Sequence, residues 1–297
     1  MKKTALIVGM AKSGISSAKL LYRNGYNVII NDMKPVIPGL EEALSGIEYT
    51  DKLGEAPETL LDGVDLMIIS PVIPIFAPFV RKAQSCGIEV IGEIELGYRY
   101  CSRGTHFVCI GGTNGKTTVV SLLDAIFQAA GYSCRTVGTL TGRLTTPDPA
   151  VLYPALRSFA DSGTQYVFME ASSHALALGK LTPIRFACGI FTNLTPEHLD
   201  FHGDMEHYAG AKAKLFASSD RAVINADDCR SQYMAERSHS PLLCSVKRSD
   251  TDFYAKNITN CGVYGIRYDL MTTDLVFKIR SGIPGLFNVM NTMEAAA

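Results

Sequence analysis

A short apolar run, residues 107–110, opens into Gly111-Gly112-Thr113-Asn114-Gly115-Lys116-Thr117-Thr118, and a helical pattern follows to about Ala130. Few folds accept that order. Glycines let the backbone turn tightly at the end of a strand and aim successive N–H groups at one point. The amino end of the next helix adds a partial positive charge there. The result is a phosphate cradle, with Gly112, Thr113, Asn114, Gly115 and Thr118 around it. Lys116 can reach the β- and γ-phosphates of a nucleoside triphosphate, ATP above all, and the Thr117 hydroxyl can ligate Mg²⁺. Ile110 stands where the G-x-x-x-x-G-K-[ST] pattern has its first glycine, so the match is imperfect. An ordinary strand–helix turn with a chance lysine is the plainer reading; the strand–loop–helix context weighs against it.

The flanking sequence sets this loop in an α/β frame. Residues 4–8, 27–31, 65–70 and 88–91 read as strands, with helical stretches at 18–22 and 78–85 between them. Such alternation predicts a parallel sheet covered by helices. A polar stretch at residues 100–105 marks a boundary. It divides a Rossmann-like domain, 1–103, from a P-loop ATPase-like domain, 104–297. The second domain is expected to carry a mostly parallel sheet, with strands near 106–110, 166–169, 187–191 and 221–225. Residues 253–258, 263–269 and 274–280 suggest a small antiparallel sheet. The last helix, 288–297, carries no stop signal, so the chain is expected to continue beyond it.

Composition narrows the class. A formal net charge of −1 gives no broad electrostatic grip on nucleic acid or on an anionic membrane. Eight cysteines occur without a C-x-x-C pair, which leaves zinc and redox motifs unsupported. Cys109 and its like read as small buried hydrophobes. No stretch approaches the roughly 18 apolar residues of a membrane helix. A cytoplasmic monomer is expected.

Other residues are candidates for chemistry. Gly9-Met10-Ala11-Lys12-Ser13-Gly14 follows the first strand, but Ala11 replaces the middle glycine of the dinucleotide pattern. Asp32 ends the second strand, where a ribose-binding acid belongs. A nucleotide half-site is reasonable, and a full dinucleotide site is not. Glu170 ends the run 166–169, at the carboxyl edge of a central strand, where it can hold Mg²⁺ through oxygen. A surface glutamate is the alternative. His198 can ligate a metal or contact phosphate, in a loop crowded by Glu197, Asp200 and His202. In the helix 205–217, Tyr208, Lys212 and Phe216 share one face. Burial there would favour a neutral amine, which can take up CO₂ as a carbamate. On spacing alone, a lysine snorkelling to solvent is the simpler reading.

Together these residues resemble the Mur ligases, ATP-dependent amide-forming enzymes of peptidoglycan synthesis, over essentially the whole chain. GTNGKTT at 112–118 is the family's form of the loop, which also lacks the first glycine. TTPD at 145–148, EASSHAL at 170–176 and the run 192–216 look like the MurE type, which adds the third peptide residue. GLFNVMN at 285–291 resembles the family's adenine-contacting segment. Gly9–Gly14, Asp32, Ser70-Pro71 and IGEIEL at 91–96 look more like the MurD type, which adds D-glutamate.

The resemblance implies roles. Lys116 and Thr117 serve phosphate and Mg²⁺, Glu170 and His198 the metal site, and Lys212 is carbamylated. Asn288 and Asn291 face adenine. Thr145, Thr146 and Ser172 contact the muramyl peptide, as does Lys180, in place of an arginine. Lys12, Ser13 and Asp32 lie near the uridine diphosphate. The implied reaction adds a diamino acid to UDP-MurNAc-L-Ala-D-Glu through an acyl phosphate. D-Glutamate addition, a folylpolyglutamate-type ligation, or a nucleotide-binding subunit working only with a partner are the alternatives. Without the amino-acid-binding domain the chain is expected to ligate weakly or not at all.

Overall fold

The computed structural model describes residues 2–70, 73–100, 104–142, 144–182 and 184–297. Pro71 and residues 101–103 of the expected boundary lie outside the described residues. The chain divides into two compact units, Met1–Cys101 with Pro149–Arg157, and Ser102–Asp148 with Ser158–Ala297.

The first unit is built on five strands: β1 (Thr4–Val8), β2 (Asn27–Asn31), β3 (Thr50–Asp51), β4 (Leu66–Ile69) and β5 (Glu89–Gly92), in the order β3-β2-β1-β4-β5. All pairings are parallel, with Ala5 opposite Val28 on one side and Leu66 on the other. Successive side chains of a strand point to opposite faces. Ala5 and Ile7 therefore join Ala18, Leu21 and Ile30 in one apolar cluster, while Leu6 and Val8 join Met67, Val80 and Ala83 in another. A strand buried on both faces needs a continuous apolar run, which is what residues 5–8 are. The helix Lys12–Arg23 buries Gly14, Ser17, Ala18 and Leu21, a helical stripe laid on the sheet. The strand order reverses between β1 and β4, so their carboxyl ends flank the crevice where open α/β sheets bind ligands.

The second unit carries nine strands: β6 (His106–Gly111), β7 (Cys134–Val137), β8 (Tyr166–Ala171), β9 (Cys188–Phe191), β10 (Ala222–Asn225), β11 (Pro241–Ser245), β12 (Phe253–Asn260), β13 (Ile266–Met271) and β14 (Val276–Ser281). Their order is β14-β13-β12-β11-β10-β9-β6-β8-β7. The expected antiparallel strands are present but form no separate layer. β12 pairs in parallel with β11 through Cys244–Phe253 and Ser245–Tyr254, and antiparallel with β13, so one mixed sheet runs throughout. β6 lies well inside the parallel part, and Ile110 is fully buried between Glu170 of β8 and Ile190 of β9. The position of the missing glycine is thus strand core rather than loop. Among the described residues no helix is long and apolar enough to cross a membrane.

The helix Phe287–Ala296 packs on the helix Lys116–Ala129 and is buried from Asn288 to Ala295. That burial includes Glu294, 1% exposed, whose carboxyl oxygens have no hydrogen-bond partner among the described residues. Burial raises its pKa well above 4.5. Above about pH 4.5 the unfolded chain sheds a proton that the folded chain retains, so folding is progressively penalised as pH rises toward the folded value. Glu294→Leu should therefore raise Tm at pH 8. A gain on the order of 2 kcal/mol is expected from removing one unsatisfied buried group. The part of the gain tied to ionisation should fade as pH falls toward 4.5, leaving that of the unsatisfied carboxyl, which thermal melts followed by circular dichroism across that range would check.

Candidate active site

The phosphate loop leaves the carboxyl end of β6 and enters the helix Lys116–Ala129 at Gly115. Gly112 and Gly115 have φ of 155° and 87°, a region that glycine adopts without penalty. Space also requires them: a Cβ on Gly112 would overlap Thr192 Oγ1, and one on Gly115 would lie 2.5 Å from Asn291 Oδ1. No acidic residue occupies the first helical turn, so the positive end of the helix dipole is left for an anion.

A second segment, the exit from β9, holds the loop in shape. Thr113 N–H donates to Asn193 O (2.9 Å) and Asn114 N–H to Asn193 Oδ1 (2.9 Å). Thr192 Oγ1 donates to Asn114 O (2.5 Å), and Thr195 N–H to Thr113 Oγ1 (3.0 Å). Asp228 and Asn225 brace this exit, accepting from Leu194 N–H and donating to Thr192 O respectively. Sequence reasoning missed these bracing residues, because nothing local marks a side chain whose partner lies 34 positions away.

Two lysines converge on the loop. Lys116 Nζ donates to Gly112 O (2.9 Å) and Thr113 O (2.7 Å), and Lys212 Nζ donates to the same Gly112 O (2.7 Å). Lys212 is 3% exposed and lies 5.0 Å from the Tyr208 ring centroid. The snorkelling reading of Lys212 is thereby overturned. Tyr208, Lys212 and Phe216 form one buried face, because the helix Met205–Ala217 lies against the loop. Burial, reinforced by the Lys116 charge and opposed by Glu197, pushes Lys212 down to about 7. Burial also lowers Lys116, against the pull of Glu170 and Glu197.

Glu170 is 2% exposed and fully engaged. Its Oε1 accepts from Thr117 Oγ1 (3.1 Å) and Thr139 N–H (2.9 Å), and its Oε2 from Thr139 Oγ1 (3.1 Å). Thr139 was also not singled out by sequence. A hydroxyl and a carboxylate side by side beside a phosphate loop are hard oxygen donors. They fit Mg²⁺, which keeps several waters and takes its other ligands from phosphates. Among the described residues no three His, Cys, Asp or Glu side chains gather closely enough to chelate an ion on their own.

Among the described residues His198 does not join that pair by a hydrogen bond. It sits at φ 54°, its ring 4.7 Å from that of His174 and its Nε2 3.8 Å from Glu197. His174 also meets Phe201 and His202, and His202 Nε2 lies 2.9 Å from Ser173 Oγ. Burial and the neighbouring His198 lower the His174 pKa.

The remaining candidates divide. Asn288 and Asn291 are buried and hydrogen-bonded to each other, and Asn291 lines a cavity of about 560 Å³ with Asn114, Thr118, Asp227 and Phe287. That is within the usual range for a small-molecule site. Thr146 is spent structurally, donating to Glu170 O and accepting from Ser172 N–H. Ser172 caps the helix Ser173–Ala177. Thr145 Oγ1 lies 3.4 Å from Thr139 Oγ1, and Lys180 is ion-paired with Asp148. In the first unit, Asp32 accepts from Met10 N–H (2.8 Å) and Lys34 N–H (3.0 Å), fastening the loop Gly9–Gly14. Lys12 is exposed and Ser13 half-buried at the start of the helix Lys12–Arg23.

Both stretches of the chain have counterparts among known proteins. Residues 110–297 match the Mur ligase middle domain, and residues 3–92 match the Mur ligase MurD-like N-terminal domain. The chain is 33% identical to a UDP-N-acetylmuramoylalanine--D-glutamate ligase of Alkaliphilus oremlandii, covering 100% of this chain and 63% of that protein. It is 37% identical to a UDP-N-acetylmuramoyl-L-alanyl-D-glutamate--2,6-diaminopimelate ligase of Pseudomonas syringae pv. tomato, covering 91% and 57%. The chain thus spans about three fifths of the length of these relatives. A solved structure of a diaminopimelate ligase of the latter name superposes with a TM-score of 0.61 at 23% identity, over 99% of this chain and 56% of that one, a likeness of fold. With most of its second unit inside the middle-domain match and most of its first inside the N-terminal match, the chain belongs to the Mur ligase family.

Proposed function

We propose that the chain is the nucleotide-handling part of an ATP-dependent ligase of peptidoglycan precursor synthesis, working in the cytoplasm. Residues 104–297 form the ATP-binding domain, and residues 1–103 bind the uridine diphosphate of the substrate. The meeting of Lys116, Lys212, Thr117 and Glu170 around one glycine loop carries this reading. Lys116 leaves its two carbonyls for the β- and γ-phosphates, and the loop N–H groups hold the same oxygens. Thr117 and Glu170, with His198 as a further ligand, would hold Mg²⁺, which would supply positive charge against the transferring group. The γ-phosphoryl passes to the terminal carboxylate of a UDP-muramyl peptide, releasing ADP. The incoming amine attacks the acyl carbon, the bond to phosphate breaks, and the amine loses its proton. Catalysis is chiefly positioning and electrostatics.

Lys212, with its lowered pKa, is suited to lose a proton and take up CO₂ as a carbamate beside this site. Asn288 and Asn291 serve adenine in the cavity lined by Asn291 and Phe287. Thr145, Ser172 and Lys180 face the muramyl peptide, with Thr146 positioning the strand end that carries Glu170.

The finer reading is addition of a diamino acid to UDP-MurNAc-L-Ala-D-Glu, supported by the TTPD, EASSHAL and TPEHLDFHG segments. The MurD-like N-terminal match favours a second reading, addition of D-glutamate to UDP-MurNAc-L-Ala. Calorimetric titration with both nucleotides separates them. Tighter binding of the dipeptide form supports the first reading, and preference for the alanyl form replaces it with the second. Binding of neither, with ATP bound normally, removes the precursor-ligase reading altogether.

A further inference from the structure

Glu93 begins the helix Glu93–Arg99 directly after β5, at the carboxyl edge of the first sheet. It is 7% exposed, and among the described residues neither carboxyl oxygen has a hydrogen-bond partner of normal geometry. A buried acid without a well-formed hydrogen bond is costly, and its location suggests what it lacks. A Cβ placed on Gly14 would sit 3.6 Å from Glu93 Oε1, so that oxygen faces the first turn of the helix Lys12–Arg23. This helix begins behind Gly9-Met10-Ala11, has no side-chain cap and no acid in its first turn. Its first intrahelical bond is Ile15 N–H to Ala11 O. The N–H groups of residues 12–14 precede that bond and are the natural donors to an anion.

The surroundings leave this carboxyl as the neutral form's natural seat. Burial pushes Glu93 up to about 7, the Ser13 hydroxyl works against that rise, and no charged neighbour contributes. Ser70, buried at the end of β4, is uncharged. Glu95 of the same helix is taken by Arg99, and Asp32 across the loop by the Met10 and Lys34 amides. An arriving phosphate would raise the carboxyl further by like-charge repulsion, so the proton stays.

We propose that Glu93 is a ligand of the substrate's diphosphate: its carboxyl holds a proton and donates it as a hydrogen bond to a phosphate oxygen at the amino end of the helix Lys12–Arg23. The proposal rests on the reading of residues 1–103 as the site for a uridine diphosphate. It makes nucleotide binding an event that takes up a proton, because the carboxyl is partly ionised in the free protein at neutral pH and protonated in the complex.

Calorimetry tests it with UDP as probe, at pH 7.5, in two buffers of different ionisation enthalpy, on wild type, Glu93→Gln and Glu93→Leu. ATP binding serves as the control in each. Wild type should take up a measurable fraction of a proton on binding UDP. Glu93→Gln, which keeps a neutral donor, should bind UDP within about twofold of wild type without that uptake. Glu93→Leu should bind UDP roughly tenfold more weakly, as expected for the loss of one hydrogen bond to a charged group. ATP affinity should be unchanged throughout, and Glu93→Leu should melt no lower than wild type, since it removes an unpaired buried acid. Wild-type affinity in Glu93→Leu, or UDP binding by wild type with no proton uptake, overturns the proposal while leaving the nucleotide site standing. A wild-type protein that binds ATP but not UDP overturns the reading of residues 1–103 itself.

Discussion

Lys116→Met is expected to slow phosphoryl transfer from ATP by roughly two to three orders of magnitude, the scale of losing one preorganised charge in a water-poor site. Tm should stay the same or rise. The two outcomes part because of what the ammonium touches. Its partners are two backbone carbonyls, Gly112 O and Thr113 O, and burial already disfavours its charge. Methionine keeps the apolar stem and drops the ammonium, so the fold loses little. ADP release in the presence of the muramyl nucleotide and amino acid, set beside a thermal melt, checks both. A variant that melts well below wild type would make Lys116 a prop of the loop and not its charge carrier.

Lys212→Met should raise Tm at pH 6–7 in CO₂-free buffer and also abolish most turnover. The folded Lys212 titrates at about 7 against 10.5 in its ordinary state. Below the lower value both states carry the proton, and the fold bears the whole cost of burying it. Between the two values the unfolded chain binds the proton and the folded chain does not, so stability rises with pH. The full penalty is on the order of 5 kcal/mol, and it is gone above about 10.5. The Tm advantage of Lys212→Met should therefore shrink steadily from pH 7 to pH 10. Bicarbonate separates the carbamate from a plain amine. It should raise both Tm and rate in the wild type and neither in the variant. A wild-type rate indifferent to CO₂ removal would rule the carbamate out.

What could be read from the sequence depended on how local its cause was. β1 and β2 were legible as short continuous apolar runs, and the helix Met205–Ala217 through the four-residue spacing of Tyr208, Lys212 and Phe216. The helix Pro149–Asp161 was not, since Pro149 and Pro154 read as breakers. Pro149 sits in the first turn, where its missing N–H costs nothing, and Pro154 is tolerated farther in. β7, Cys134–Val137, is a four-residue edge strand with Arg135 in it, too short and too polar to stand out. β11 was hidden by its opening proline, and without it the antiparallel strands looked detached.

The site divides along the same line. The loop Gly112–Thr118 announces itself because glycine, lysine and hydroxyl must be contiguous to do their work. The Tyr208–Lys212–Phe216 face was visible as a spacing, but not as buried or exposed, because burial is decided by the loop laid across it. Thr139 and Asp228 acquire meaning only from partners 31 and 34 residues away. Glu93 is recognised by being buried with no hydrogen-bond partner of normal geometry among the described residues, a property no single sequence displays.

The stitching of the phosphate loop to the exit from β9 has a consequence for heredity. Asn114 is held through both its N–H and its C=O by Asn193, and Thr113 is held through both its N–H and its hydroxyl by that same exit. The eight residues 111–118 are consequently not a portable cassette. Grafted onto another strand–helix pair they would keep their glycines and lose the frame that sets their curvature. Asn193 reaches only the backbone of residue 114, so the side chain at 114 is free to change while the amide at 193 and the hydroxyl at 113 are not, and the glycine motif and the distant TNLTP segment form one unit of inheritance divided between two stretches of the gene.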